Sequence, residues 1–366
     1  MDKNLVLLIG SGKTGNIFVS EMLDCDKRYA GLMINSAIGD MNNLPNFNLC
    51  QSYVIPGEDG SGRNRELGKQ FIKNRGESIL DIISNYKQSK VAVFFCSSDG
   101  GTGSGSTPLL IKAVKKPHPK TKIILVAIMP RLSENRDSLQ NAIDFWNDII
   151  DLKKKRLVDT IYLVDNNKRK TFEEINKEAT RKIDMAFSLN TFDTAGDIDK
   201  NDSLKVNTAN GYNFIMELDT KYTNVEESIN QSIKDSVFML PTSYDCDYMG
   251  AVLSKGKYDI EDVRSRFEVF NTDYCGVSES ESLIVLGGLA IPKDGIEIIQ
   301  IALKDLEKRN NSRQKHDENS LYIEKDQEYD REEIDNAINE KYKKINTSSP
   351  SISVINEILD DNFWDD

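Results

Sequence analysis

Two glycine-rich turns hold the residue types best suited to chemistry in this 366-residue chain. The first is Gly10-Ser11-Gly12-Lys13-Thr14-Gly15-Asn16, directly after the apolar run Leu5 to Ile9. The second is Asp99-Gly100-Gly101-Thr102-Gly103-Ser104-Gly105, which follows Val91 to Cys96 and precedes Ser106-Thr107-Pro108 and an apolar, helix-like run from Leu109. Glycine admits positive φ and lets several backbone N–H groups line one concave face, with no side chain between them and a ligand. A helix starting immediately afterwards adds its own free N–H groups and the positive end of its dipole. Strand, glycine turn and helix in that order make a cradle for an oligophosphate.

The first turn by itself admits competing readings. A Walker A loop needs a glycine five positions before Gly12, where the chain has Leu7. A dinucleotide fingerprint fits Gly10, Gly12 and Gly15 and keeps a nicotinamide or flavin oxidoreductase in view. It also calls for an acidic ribose partner about 20 residues on, where Asn35-Ser36 close the next strand. The two turns together imply phosphate gripped from two strand ends, which an ordinary dinucleotide fold does not do.

The elements that must position these turns are legible as wholly apolar runs at Leu5 to Ile9, Val91 to Cys96, Ile123 to Met129 and Ile161 to Val164, separated by amphipathic stretches. That alternation predicts an α/β fold with a parallel sheet buried on both faces, and ligands in such sheets sit at the carboxyl ends of strands. Phe172 to Leu189 reads as a long helix with Ile175, Ala179, Ile183 and Phe187 on one face. Asn190 to Asn207 is polar and turn-rich. From Gly211 a separate, smaller α/β domain is expected, with strands at Met249 to Leu253 and Leu283 to Ile291 and a helical run around Val225 to Phe238. Beyond Pro292, Ile296, Ile299, Leu303 and Leu306 keep helical spacing; Asn310 to Gln327 is highly polar, and Tyr329 to Ile345 looks helical again. Ser349 to Asp366 carries five acids and no Lys or Arg, as either a solvated end or a docking segment for a basic partner. The expected organisation is residues 1–170, 171–207, 208–292, 293–347 and an acidic tail 348–366.

Composition narrows the function classes. A net charge of -12 argues against wide, direct contact with nucleic acid, whose phosphates are held by clustered Lys and Arg. Five cysteines without CxxC spacing suit reduced thiols in a cytoplasm. Of the two histidines, His118 lies in a Pro-His-Pro turn, so histidine catalysis or zinc binding is not expected. The longest purely apolar run, Ile123 to Met129, is far short of the roughly 20 residues that span a bilayer. No secretion signal is read at the N-terminus, and the expected location is the cytosol.

Asp99 to Gly105 resembles the tubulin/FtsZ signature Gly-Gly-Gly-Thr-Gly-Ser/Thr-Gly, with Asp99 in place of the first glycine. The likeness continues in order through Pro108 at the helix start, Ala127-Ile128-Met129-Pro130, Val158 to Lys168 with Asn166, Gly211-Tyr212 and Gly250 to Leu253. It implies a tubulin/FtsZ-like fold: a Rossmann-like GTP-binding sheet joined by a central helix to a smaller α/β domain, with C-terminal helices. It further implies that Gly10, Ser11, Gly12, Lys13, Thr14 and Asn16 hold GTP or GDP phosphates together with Asp99, Gly100, Gly101, Thr102, Gly103, Ser104 and Gly105. Asn35 and Ser36 would lie near the γ-phosphate and ribose side, and the loop 57–62 would sense the γ-phosphate. Phe172 would stack on the purine and Asn176 would hydrogen-bond it, four residues apart at the head of one helix. Guanine specificity is likewise implied only by the family.

The family completes its active site across a subunit interface with an acidic loop, and Asp199 and Asp202 repeat its Asp-x-x-Asp spacing, with Mg²⁺ offsetting phosphate charge. Such a contact is heterologous and generates an open head-to-tail filament. Within the superfamily the degenerate first glycine, the helical continuation and the tail resemble TubZ, the plasmid and phage segregation tubulins, which move DNA through a DNA-binding adaptor on the C-terminal region. Their tails are expected to be basic, whereas this one is acidic. An FtsZ-like cytokinetic GTPase and a non-hydrolysing scaffold are the alternatives of the same fold.

Overall fold

The computed structural model describes residues 1–56 and 60–320, with side chains through 312. Its strands are β1 (Val6–Ser11), β2 (Ala30–Asn35), β3 (Gln51–Val54), β4 (Val91–Ser97), β5 (Lys122–Ile128), β6 (Thr160–Val164), β7 (Gly211–Glu217), β8 (Cys246–Ser254), β9 (Val269–Ser278) and β10 (Leu283–Leu289). Its helices are α1 (Gly12–Cys25), α2 (Gly39–Asn42), α3 (Arg65–Lys73), α4 (Gly76–Ser84), α5 (Thr102–Lys115), α6 (Arg136–Lys154), α7 (Phe172–Phe187), α8 (Leu189–Phe192), α9 (Lys200–Asn207), α10 (Val225–Lys234), α11 (Ile260–Arg264) and α12 (Lys293–Ser320). Residues 1–308 form one compact unit. Gly57, Glu58 and Asp59, the expected helix 329–345 and the acidic tail lie outside the described residues.

The ten strands make one sheet in the order β3-β2-β1-β4-β5-β6-β7-β10-β8-β9. The first six are parallel and follow the doubly wound order, so successive connections leave β1 toward one edge and β4 toward the other. Side chains along β1 and β6 are buried throughout, as are those of β4 up to Cys96, because helices cover both faces. β7 continues parallel beside β6, then β10 and β8 run antiparallel and β9 closes the edge parallel to β8. The strands of the 208–292 segment are thus hydrogen-bonded onto the same sheet.

Local chemistry explains most boundaries. A capping box starts α7: the Thr171 hydroxyl accepts from the Glu174 N–H while the Glu174 carboxylate accepts from that of Thr171. Two expectations are corrected. The second glycine turn is shorter than its sequence suggests, because α5 begins at Thr102 and Pro108 lies inside the helix. The stretch Asn190 to Asn207 contains α8 and α9, two helices too short to display an amphipathic period. β9 gives no apolar run because most of its side chains are partly or fully exposed at the sheet edge. Among the described residues no helix is long and apolar enough to cross a membrane.

Candidate nucleotide site

The topological switch point falls between β1 and β4, which are direct neighbours with Gly10 opposite Phe95. Both glycine turns therefore end side by side, and they pack backbone to backbone. Gly12 has φ +71°, and a Cβ there would lie 3.0 Å from the Gly103 nitrogen. A Cβ on Gly103 would come within 2.7 Å of the Ser11 carbonyl oxygen. The Ser11 and Ser106 hydroxyls share a hydrogen bond across the same seam. Nothing lies within 4 Å of a Cβ built on Gly100, so this glycine faces open space.

The helices that start here differ from most others in the chain. α3, α6, α7, α9, α10 and α11 each begin with an Asn, Asp or Thr side chain that accepts from a first-turn N–H. α1 and α5 have no such side-chain cap. Their first-turn N–H groups and dipole ends stay available to an anion at the strand ends.

Around this cradle the loops are joined by hydroxyls and charges. Ser36 Oγ lies 3.1 Å from Thr102 Oγ1, which donates to Ser61 Oγ at 3.1 Å, so three buried hydroxyls meet from three loops. The Asn35 carbonyl oxygen accepts from the Ser36 N–H at 2.9 Å, and its amide donates to Asp40 at 3.3 Å. Asp40 also pairs with Lys13 at 3.3 Å. Asp99 accepts from Ser97 Oγ, and burial raises its carboxyl above the ordinary range. Ser61 belongs to the 57–62 loop expected at the γ-phosphate, whereas Asp40 and the α6 residues have no local spacing that links them to either turn.

The far side holds the residues expected to meet the base. Phe172 is 45% exposed, and one face of its ring is covered by the Arg131 guanidinium at 4.1 Å. Arg131 is fixed by the carbonyls of Asn166 (3.3 Å) and Lys170 (3.4 Å). Asn176 is nearly buried one turn along α7. The side-chain oxygens of Asn16 and Asn166 are buried with no hydrogen-bond partner in the chain. Buried amides are ordinarily satisfied, so two orphans on residues of this site fit a polar ligand that supplies the missing donors.

Asp199 and Asp202 are placed elsewhere. Together they form the capping box of α9: Asp199 accepts from the N–H groups of Asn201 (2.6 Å) and Asp202 (2.9 Å), and Asp202 accepts from that of Asp199 (3.1 Å). These N–H bonds, that from Asp202 first, hold the Asp199 carboxyl below its ordinary range. The 16 residues of α7 carry the chain about 24 Å from Phe172 before this loop begins. Lys200 pairs with Asp2 at 3.1 Å, ahead of β1, whereas the glycine turn follows the opposite end of that strand. The loop is stapled to β9 by Asp193, which accepts from the N–H groups of Ala195, Ile198 and Val277. Among the described residues no cluster of three or more His, Cys, Asp or Glu could hold a metal ion.

Residues 5–172, which span both turns and the start of α7, match the tubulin/FtsZ family GTPase domain. They are a tubulin/FtsZ-family GTPase domain. The chain is 26% identical over 320 residues, 87% of its own length and 88% of the relative's, to the tubulin-like protein TubZ of Clostridium botulinum C phage. The structure of C. botulinum phage c-st TubZ lacking its C-terminal tail superposes with a TM-score of 0.78 at 26% identity, covering 84% of this chain and 100% of that one. A GTPγS-form protofilament of Bacillus thuringiensis TubZ matches in fold, with a TM-score of 0.70 at 12% identity over 86% and 94% of the two chains. The tubulin/FtsZ domain is a GTPase. The pair of uncapped helix ends after β1 and β4 lies within the matched residues and offers free N–H groups suited to an anion.

Proposed function

We propose that this chain is a filament-forming GTPase of the TubZ kind, whose hydrolytic site is completed between two copies. The observation that carries this reading is the separation of the phosphate cradle, at the carboxyl ends of β1 and β4, from the Asp199–Asp202 cap near the opposite end of β1. A carboxylate at one end can reach a nucleotide at the other only in a neighbour, and repeating that heterologous contact gives an open filament. The B. thuringiensis fold neighbour forms a protofilament in its GTPγS form, which supports end-to-end self-association.

In this reading the N–H groups of α1 and α5, with Lys13, hold the triphosphate, while Phe172, Asn166 and Asn176 hold guanine; Asn16, expected on the phosphates, joins them because its orphaned side-chain oxygen needs a donor that phosphate oxygens lack. The orphaned amides gain their partners from the base edge. Magnesium, if it accompanies the nucleotide, would offset phosphate charge and would take its ligands chiefly from the phosphates, since a protein cage for it is seldom built. In the neighbouring copy, Asp199 or Asp202 orients the attacking water. Segregation of plasmid or phage DNA through an adaptor on the C-terminal region is the cellular role this reading favours.

The test follows light scattering and phosphate release together with GTP, GDP and a slowly hydrolysed GTP analogue. Asp199→Asn is the informative variant, because asparagine caps a helix as well as aspartate does but brings no charge. Turnover is expected to fall roughly 10²–10⁴-fold while polymers still form and thermal stability holds. Normal hydrolysis in this variant would remove Asp199 from the mechanism, and failure of the wild type to respond to GTP would sink the whole reading.

A further inference from the structure

One side chain joins the two loops that would face the end of the triphosphate. Asn141, on α6 and 9% exposed, donates its amide to the carbonyl of Arg63 at 2.8 Å and to that of Asp99 at 3.1 Å. The two acceptors lie 78 and 42 residues away along the chain. Asp99 leads into the glycine turn, and Arg63 ends the segment that carries Ser61.

Arg63 has φ +63°, a left-handed conformation that strains a residue with a Cβ. Gly60 (φ +88°) and Gly62 (φ +55°) beside it also take positive φ, so the segment has little intrinsic preference for one shape. Restraint comes from the α6 side: the Arg63 guanidinium bonds Glu134 at 3.3 Å and the Ser138 hydroxyl, and Asn141 fixes its carbonyl. So held, the segment lies directly on the glycine turn. A Cβ on Gly101 would fall 2.2 Å from Ser61 Oγ and 2.8 Å from the Arg63 carbonyl carbon.

We propose that Asn141 is a positioning residue, a clasp that holds the 60–64 segment against the 99–105 turn so that Ser61 and the segment's backbone are preset to recognise the γ-phosphate. The inference rests on the GTPase reading above and adds a residue that touches neither nucleotide nor metal. Its physical content is preorganisation: a loop already held in one shape gives up less entropy when the terminal phosphate arrives. GDP, which lacks that phosphate, gains nothing from the clasp.

The experiment measures fluorescent GTP and GDP affinities at concentrations too low for assembly, for wild type, Asn141→Ala, Asn141→Gln and Arg63→Gly. With Asn141→Ala, GTP affinity is expected to fall about tenfold, the scale of one lost buried donor, while GDP affinity stays within about twofold. Asn141→Gln, which keeps the donor on a longer arm, should recover part of the loss. Arg63→Gly relieves the left-handed strain and leaves the α6 core intact; it should shift the GTP/GDP ratio in the same direction, and the Arg63→Gly/Asn141→Ala pair should be non-additive because both act on one segment. Equal loss of both nucleotides, or no loss of either, overturns the clasp. Wild-type protein that binds neither nucleotide overturns the underlying reading instead, so the two failures are distinguishable.

Discussion

Gly100 and Gly103 occupy the same short signature, yet their surroundings differ, and adding one methyl group to each separates the two. In Gly103→Ala the new Cβ lies 2.7 Å from the Ser11 carbonyl oxygen, and this obstacle is backbone that cannot swing aside. Carbon–oxygen contacts close to about 3.3 Å, so the seam between the turns must open by roughly 0.6 Å. Overpacking of that kind costs about 1–3 kcal/mol. Gly103 lies in the first turn of α5, where alanine returns up to about 1 kcal/mol of helix propensity. With that full return the net loss is up to about 2 kcal/mol, and at roughly 2 °C per kcal/mol for a unit this large, Tm should drop by up to about 4 °C. Gly100→Ala meets nothing within 4 Å and should melt with the wild type. The open space its methyl enters is where phosphate oxygens would lie, so its GTP affinity should fall about tenfold all the same, a methyl-for-phosphate clash. Differential scanning calorimetry and nucleotide titration of both variants suffice. A Gly103→Ala protein as stable as wild type would show that the turns are not in contact; a Gly100→Ala protein that binds GTP normally would show that phosphate does not lie over that turn.

Three further outcomes follow from the same geometry. Phe172→Ala should weaken guanine nucleotides by about 1–3 kcal/mol, the worth of one base–aromatic stack, and leave inorganic tripolyphosphate competition unchanged; equal loss of both ligands would mean that Phe172 supports the fold instead. Asp99→Asn should tighten triphosphate binding several-fold above the Asp99 pKa, where the native carboxylate repels phosphate, and make no difference below it, as a pH series of titrations would reveal. Glu21, held mainly by burial between α1 and α7, has its carboxyl raised from 4.5 to about 7. The folded state binds this proton more tightly than the unfolded chain, so wild-type stability should decline as pH rises from about 4.5 to about 7. Solvent screening limits the loss to the order of 1–2 kcal/mol, and Glu21→Gln should flatten that slope in urea denaturation.

What could be read locally was read from the sequence. The runs at Leu5, Val91, Ile123 and Ile161 became β1, β4, β5 and β6, because a strand buried on both faces must be apolar throughout. The helix from Phe172 was announced by its four-residue repeat, while its Thr171-x-x-Glu174 capping box was found only in the structure. Glycine content marked both turns, since backbone approach and positive φ demand glycine whatever the fold around them. Short or half-exposed elements such as α9 and β9 escaped, having neither length nor apolar contrast.

Tertiary structure alone decided which backbones touch. Nothing in local spacing pairs Gly12 with Gly103, seats Ser61 on Gly101, or sends Asn141 to carbonyls 42 and 78 residues distant. It also decided that the α9 start carrying Asp199 and Asp202 lies near the end of β1 opposite the two glycine turns. Periodicity and turn chemistry are set by neighbours within a few residues, whereas contacts across the switch point arise only when strands far apart in sequence become adjacent in the sheet.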